Sequence, residues 1–123
     1  MNTTAPKSRR TWPAKFADSF RGLAAALRTQ SSFAVHLLAT VVVVAAAAVL
    51  HVSAIEWCLL VFACASVLSM EMINTALERL TAAVHPDRSP LVGQALDIAS
   101  GAVLVASLGA AIIGAVIFIP LIF

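Results

Sequence analysis

The sequence predicts an all-α membrane protein with three transmembrane helices and an amphipathic amino-terminal helix. Hydrophobic residues make up 61% of the 123 residues, and charged residues only 11%. Three apolar segments, 33–50, 55–70 and 98–123, approach or exceed the roughly 20 residues that cross a bilayer. A soluble bundle of buried helices is disfavoured because each helix would need a polar face, and the third segment carries no charge.

The amino-terminal part is polar and then amphipathic. Residues 1–11 form a basic tail that we expect to be disordered. From residue 12 an apolar stripe recurs at spacings of four, four, three and four: Trp12, Phe16, Phe20, Leu23 and Leu27. Basic side chains occupy the other side, so the pattern predicts a helix over 12–28 that lies in the membrane interface. The alternative, an amphipathic helix packed on its own protein, stays open.

The three predicted spans follow as one membrane domain over 12–123. A polar break at 29–32 precedes the first span, 33–50. Ser53 and Glu56 fit a capping box that begins a second helix over 54–84. At 1.5 Å per residue that helix is about 46 Å long and outruns a hydrocarbon core of about 30 Å. Ser89 and Pro90 suit the start of a third helix over 90–120, which enters the bilayer after Asp97.

The placement of the basic residues predicts the topology. Of the eight lysines and arginines, six precede the first span, two lie between the second and third, and the loop at 51–56 has none. The positive-inside rule therefore puts the amino terminus in the cytoplasm. The net charge of +2 says little by itself, and no nucleic-acid partner is predicted.

A polar stripe marks the cytoplasmic end of the second span. Glu71, Asn74 and Glu78 fall within about 60° of one another on a helix, and charge beside a membrane is costly and usually functional. Asp97 begins the next, antiparallel span, so we expect it at a similar depth. Carboxylates and an amide at this boundary suit Mg²⁺–ATP, because Mg²⁺ leaves positions for phosphate and water. The alternative is that these side chains only bond neighbouring helices.

A known family has the same motifs. Residues 71–78 (EMINTALE) and 97–104 (DIASGAVL) resemble the signatures of the small bacterial integral-membrane diacylglycerol kinases and undecaprenol kinases. Segments 19–23, 32–37 and 56–57 match as well, so the resemblance covers nearly the whole chain after Trp12. It implies a homotrimer with sites shared between subunits, in the bacterial inner (cell) membrane. It also implies a site without a P-loop, and the sequence has none.

The resemblance implies a role for each matching residue. Glu71 would be the catalytic general base, and Glu78 would bind the Mg²⁺ of Mg²⁺–ATP. Asn74 would order the site, Asp97 would help to place the nucleotide phosphates, and Gln30 stands at a cofactor-binding position.

Three positions depart from the family pattern. Gln30 replaces a glutamate, so it can still ligate but without charge. Ala82 replaces an aspartate, and Leu96 replaces the lysine that would sit beside the transferred phosphate, where a cation is valuable. Arg28, Arg79 and Arg88 are the candidates to supply the missing charge. His36 matches a histidine common in the family, and the choice between a site role and packing stays open.

The sequence leaves three functions open. The first is an ATP-dependent lipid kinase, acting in phospholipid and lipid metabolism on the hydroxyl of diacylglycerol or undecaprenol at the cytoplasmic interface. The second is a catalytically impaired relative that serves as a lipid-binding or interaction subunit. The third, a small transporter or pore, is disfavoured because no span has a charge at its middle.

Overall fold

Four α-helices form the described part of the protein, which in the computed structural model comprises residues 9–87 and 89–123. They are α1 (Trp12–Thr29), α2 (Ser31–Val49), α3 (Ala54–Val84) and α4 (Pro90–Ile122). The last three are long and apolar enough to cross a membrane, which confirms the predicted fold class. Most of the predicted amino-terminal tail, residues 1–8, lies outside the described residues.

The helix boundaries follow from local capping. Ser53 and Glu56 form the predicted capping box, in which the Ser53 N–H donates to Glu56 Oε2 at 2.8 Å. At the start of α4, Ser89 Oγ accepts from the Val92 N–H at 3.2 Å. The polar break before α2 is shorter than predicted, since only Gln30, with extended backbone, separates α1 from α2. Polar Ser31 and Ser32 therefore join α2.

The apolar stripe of α1 is largely exposed in the part of the chain that the structure describes. Trp12, Phe16 and Phe20 are 71%, 61% and 69% exposed, while the buried Ala26 lies where α1 approaches α2 and α3. A row of exposed aromatic side chains opposite basic ones is typical of a helix in the membrane interface. The structure thus favours the interfacial interpretation of α1 over packing on its own protein.

The core of the bundle is the seam along α3. This helix packs most extensively against α4 and next against α2. Its buried residues recur every three or four positions and form what we call the buried stripe of α3: Leu60, Ala63, Val67, Glu71 and Thr75. Because α2, α3 and α4 alternate in direction, one end of the bundle collects α1, the start of α2, the end of α3 and the start of α4. We call it the α1 end.

Candidate active site

Glu71 lies on the buried stripe of α3, at the point where the stripe changes from apolar to polar. The stripe runs through Leu60, Ala63 and Val67, and the same periodicity then turns Glu71 and Thr75 inward. Glu71 is only 6% exposed. A carboxylate at this depth is expected to face the bundle interior instead of lipid, because its desolvation cost is offset only by polar partners.

His36 of α2 faces this carboxylate. Its Nε2 lies 3.2 Å from Glu71 Oε1, and the two side chains are 28% and 8% exposed. His36 follows the buried Phe33 by one turn, which places the imidazole on the side of α2 that meets α3. The structure therefore brings together two residues. Glu71 is the catalytic residue predicted from the sequence, and His36 is the residue whose role the sequence left open.

Asn74 and Glu78 form a second polar pair one and two turns further along α3. Asn74 Nδ2 donates to Glu78 Oε1 at 3.1 Å. Asn74 Oδ1 is buried and has no hydrogen-bond partner, while Glu78 is exposed. A buried amide oxygen without a donor is unusual in native proteins and is a candidate for an absent ligand or ion.

Glu78 borders a cavity of about 230 Å³ between the end of α3 and the start of α4. Ala82 and Leu96, two of the three departures from the family pattern, line this cavity too, together with Thr81, His85 and Pro86. Of the described residues in its wall, His85 is the one that can carry a positive charge. Two of the three departures from the family pattern thus meet around one cavity beside Glu78.

The α1–α2 junction also approaches this part of α3. The Arg79 guanidinium donates a hydrogen bond to the Thr29 hydroxyl. Thr29 precedes Gln30, and Arg79 follows Glu78, so this contact brings the neighbourhoods of two predicted site residues together. Arg79 is exposed and does not line the cavity beside Glu78.

Asp97 does not line the cavity beside Glu78. It is exposed on α4, and its neighbour Leu96 faces the cavity instead. No group of three or more His, Cys, Asp and Glu residues that could hold a metal ion occurs within residues 9–87 and 89–123. Mg²⁺, however, often binds through one or two carboxylates with substrate phosphates. The carboxylate of Glu78, held by Asn74, is compatible with that mode of binding.

A second cavity, of about 260 Å³, leads from His36 towards the middle of the bundle. Its wall combines small and apolar residues of α2, α3 and α4 with the hydroxyls of Thr40 and Ser107. Ser107 Oγ is buried without a hydrogen-bond partner. The Glu71–His36 pair therefore lies between an apolar cavity and the polar α1 end of the bundle.

Several of these contacts were missed at the level of sequence. The burial of Thr75 follows from its spacing of four residues from Glu71, which is the one signal that was available. The Arg79–Thr29 contact joins residues 50 positions apart, and the place of His85 in the cavity wall depends on how α3 and α4 pack. Neither has a local sequence signature.

Known proteins are similar to this chain over most of its length. The family model for prokaryotic diacylglycerol kinase matches residues 17–118. The chain belongs to this family. This match confirms the predicted resemblance and the predicted enzyme class, a lipid kinase. Together with the three apolar helices, it also confirms that the protein is a multi-pass bacterial membrane protein.

Three curated relatives are similar over most of the chain. An undecaprenol kinase of Bacillus subtilis is 32% identical over 105 residues, which cover 85% of each chain. A diacylglycerol kinase of Synechocystis is 35% identical over 106 residues, covering 85% of this chain and 61% of that protein. A diacylglycerol kinase of Pseudomonas aeruginosa is 35% identical over 88 residues, 72% of each chain. One of these relatives is thus named for undecaprenol, and the other two are named for diacylglycerol.

Proposed function

We propose that this lipid kinase transfers the γ-phosphoryl group of ATP to the hydroxyl of diacylglycerol or undecaprenol at the cytoplasmic face of the membrane. The observation that supports this most is the buried Glu71 carboxylate, whose partner His36 lines an apolar cavity, with Glu78 and its own cavity two turns further along the same helix. A lipid alcohol arrives from the bilayer and a nucleotide from water, so a kinase needs its base between the two.

In the proposed reaction Glu71 acts as the general base. Its carboxylate takes the proton of the lipid hydroxyl as the oxygen attacks the γ-phosphorus of ATP. The new oxygen–phosphorus bond forms while the bond from the γ-phosphorus to the bridging oxygen breaks, and ADP leaves. The low exposure of Glu71 keeps water away from the reacting hydroxyl, which disfavours transfer to water.

Glu78 and its neighbours serve the nucleotide in this proposal. Glu78 would hold Mg²⁺, and Asn74 would hold Glu78 through the 3.1 Å hydrogen bond. When bound, Mg²⁺ neutralises charge on the phosphates. Gln30 and Asp97 would contact the metal-bound nucleotide, and because Asp97 is exposed on α4, we assign its contact to a site shared between subunits of a homotrimer.

The orientation of the chain is part of the same proposal. With the amino terminus in the cytoplasm, the α1 end of the bundle faces the compartment that contains ATP. The basic residues of α1 and the connection between α3 and α4 then lie on the cytoplasmic side, as the positive-inside rule requires.

The test is phosphoryl transfer by the purified protein. Wild-type protein in lipid vesicles is given Mg²⁺ and radiolabelled ATP with diacylglycerol or with undecaprenol, and lipid phosphate is counted. We expect labelled product from at least one lipid, and the comparison of rates identifies the preferred one. The matched control is Glu71→Gln, which keeps the side-chain size but cannot take the proton.

An inactive wild-type protein would contradict this proposal. If the wild-type protein labels neither lipid across several nucleotides and divalent metals, the kinase proposal is wrong. The catalytically impaired relative that binds lipid would then be the better description, and the apolar walls Ala82 and Leu96 beside Glu78 would be its physical reason.

A further inference from the structure

We infer that His36 is a positioning residue for Glu71. In this inference the His36 Nε2–H donates to Glu71 Oε1 and fixes the carboxylate plane, so that Oε2 is presented to the lipid hydroxyl. The inference rests on the proposed function, because it gives His36 a task only if Glu71 is the base. Its own evidence is the contact between the two side chains.

Glu71 needs a polar partner because its carboxylate is buried. Its side chain is 8% exposed, and a buried carboxylate without compensating polar contacts is costly. Among the residues that the structure describes, His36 is the one basic side chain paired with it, at 3.2 Å from Nε2 to Oε1. That separation is within the range of an N–H···O hydrogen bond, and histidine can donate from Nε2 in its neutral as well as its charged form.

Helix α2 holds the imidazole of His36 in place. Phe33, one turn earlier, is 1% exposed and anchors this side of the helix. One turn later, Thr40 Oγ1 donates to the backbone carbonyl of His36 at 2.9 Å. The His36 side chain therefore projects from a packed segment of helix, which is the kind of support that keeps a catalytic carboxylate in one geometry.

The contact with His36 also determines the direction in which the Glu71 carboxylate is held. His36 lines the 260 Å³ cavity between α2, α3 and α4, and Glu71 meets His36 from the α3 side. A hydrogen bond to Oε1 leaves the second carboxylate oxygen available for a substrate proton. A base that is misplaced by about 1 Å loses on the order of a hundredfold in rate, so restricting the carboxylate has a measurable value.

The test compares two substitutions of His36. His36→Leu replaces the donor with an apolar side chain, and we expect kcat to fall by up to about 100-fold, because the carboxylate is no longer held in the reactive geometry. The KM for Mg²⁺–ATP should not change, because His36 does not line the cavity beside Glu78. His36→Gln, whose amide can donate a hydrogen bond, should recover most of the lost kcat.

Controls separate this role from a structural one. His51→Asn removes a histidine at the opposite end of the bundle, and asparagine tolerates the positive φ of 52° at that position; we expect wild-type kinetics. In a Glu71→Gln background, His36→Leu should cause no further loss, because residues that act as one unit are not additive. Thermal unfolding of each variant reports whether the fold is retained.

The outcomes distinguish this inference from the proposed function. If the wild-type protein transfers no phosphate, the proposed function fails and the inference fails with it. If wild type is active and Glu71→Gln is inactive, but His36→Leu retains full kcat, only the inference about His36 is overturned. It is also overturned if His36→Gln folds and is as slow as His36→Leu, or if His36→Leu changes KM alone.

Discussion

Asn74 is the residue whose substitution tests the nucleotide side of the site most sharply. Its Nδ2 donates to Glu78 Oε1 at 3.1 Å, so Asn74→Ala leaves the proposed metal-binding carboxylate without its orienting partner. Loss of such a partner usually costs about 10- to 100-fold in metal affinity. Because Glu78 is exposed and water can replace the lost donor, we expect the lower end, about tenfold. The measurement is the Mg²⁺ concentration that gives half the maximal rate of lipid phosphorylation.

Asn74→Asp gives a second, independent result at the same position. It replaces the amide donor with a carboxylate oxygen about 3 Å from Glu78 Oε1, so two like charges meet and repel. Mg²⁺ held by Glu78 would offset that repulsion with its positive charge. We therefore expect Asn74→Asp to be less stable than wild type without Mg²⁺, with a melting temperature that rises on addition of Mg²⁺ more than that of the wild-type protein.

The matched control is Gln94→Ala, which removes an exposed amide of α4 that does not line the cavity beside Glu78. If Asn74→Ala shows the same Mg²⁺ dependence as wild type or as Gln94→Ala, Asn74 does not orient a metal ligand. If the melting temperature of Asn74→Asp responds to Mg²⁺ no more than that of wild type, the site near Glu78 does not bind the ion. Either result would refute the assignment of Asn74.

Three further predictions follow from particular contacts. Glu71→Asp shortens the side chain by one methylene and withdraws the carboxylate by about 1.5 Å, so kcat for lipid phosphorylation should fall by about a hundredfold or more; an unchanged kcat would contradict the role of Glu71. Leu96→Lys places a cation in the cavity beside Glu78, where it can stabilise the transferring phosphate, and kcat/KM for Mg²⁺–ATP should rise; a decrease would show that the cavity does not hold the phosphates. Finally, the hydrogen bond from Arg10 at 2.6 Å, assisted by Arg21, lowers the pKa of Asp18 below its ordinary value despite some opposing desolvation. The stabilisation from this contact is present above the ordinary pKa of the carboxyl group and is lost as the pH falls through the lowered value. Arg10→Ala should raise the pKa of Asp18, as measured by NMR titration, and no change would contradict the contact.

The fold could be predicted from sequence because its signals are local. The capping box at Ser53 and Glu56, the Ser89 cap and the apolar lengths each depend on residues close together in the chain, and α3 and α4 begin at the predicted residues. Spacing also identified Glu71, Asn74 and Glu78 as one side of α3. The start of α2 differed, at Ser31, because serine in a polar turn is compatible with both helix and cap. Helix α4 runs two residues past its predicted end, to Ile122.

The arrangement of the site depends on packing that no single helix encodes. The sequence could not show that His36 meets Glu71, because the rotation of α2 against α3 decides which side chains face one another. It grouped Asp97 with Glu71 by depth, but depth does not fix direction around a helix, and α4 turns Leu96 instead of Asp97 towards Glu78. Whether Asp97 joins the site from a neighbouring subunit stays a prediction.

The most direct test of this account measures nucleotide binding and phosphoryl transfer together in Glu71→Gln. The account predicts that Mg²⁺-dependent binding of an ATP analogue is unchanged, because Glu78 and Asn74 are intact. It predicts that transfer to lipid falls by about 10²- to 10⁴-fold, the usual contribution of a general base. Retention of full transfer, or an equal loss of binding and transfer, would contradict the claim that Glu71 takes the proton of the lipid hydroxyl.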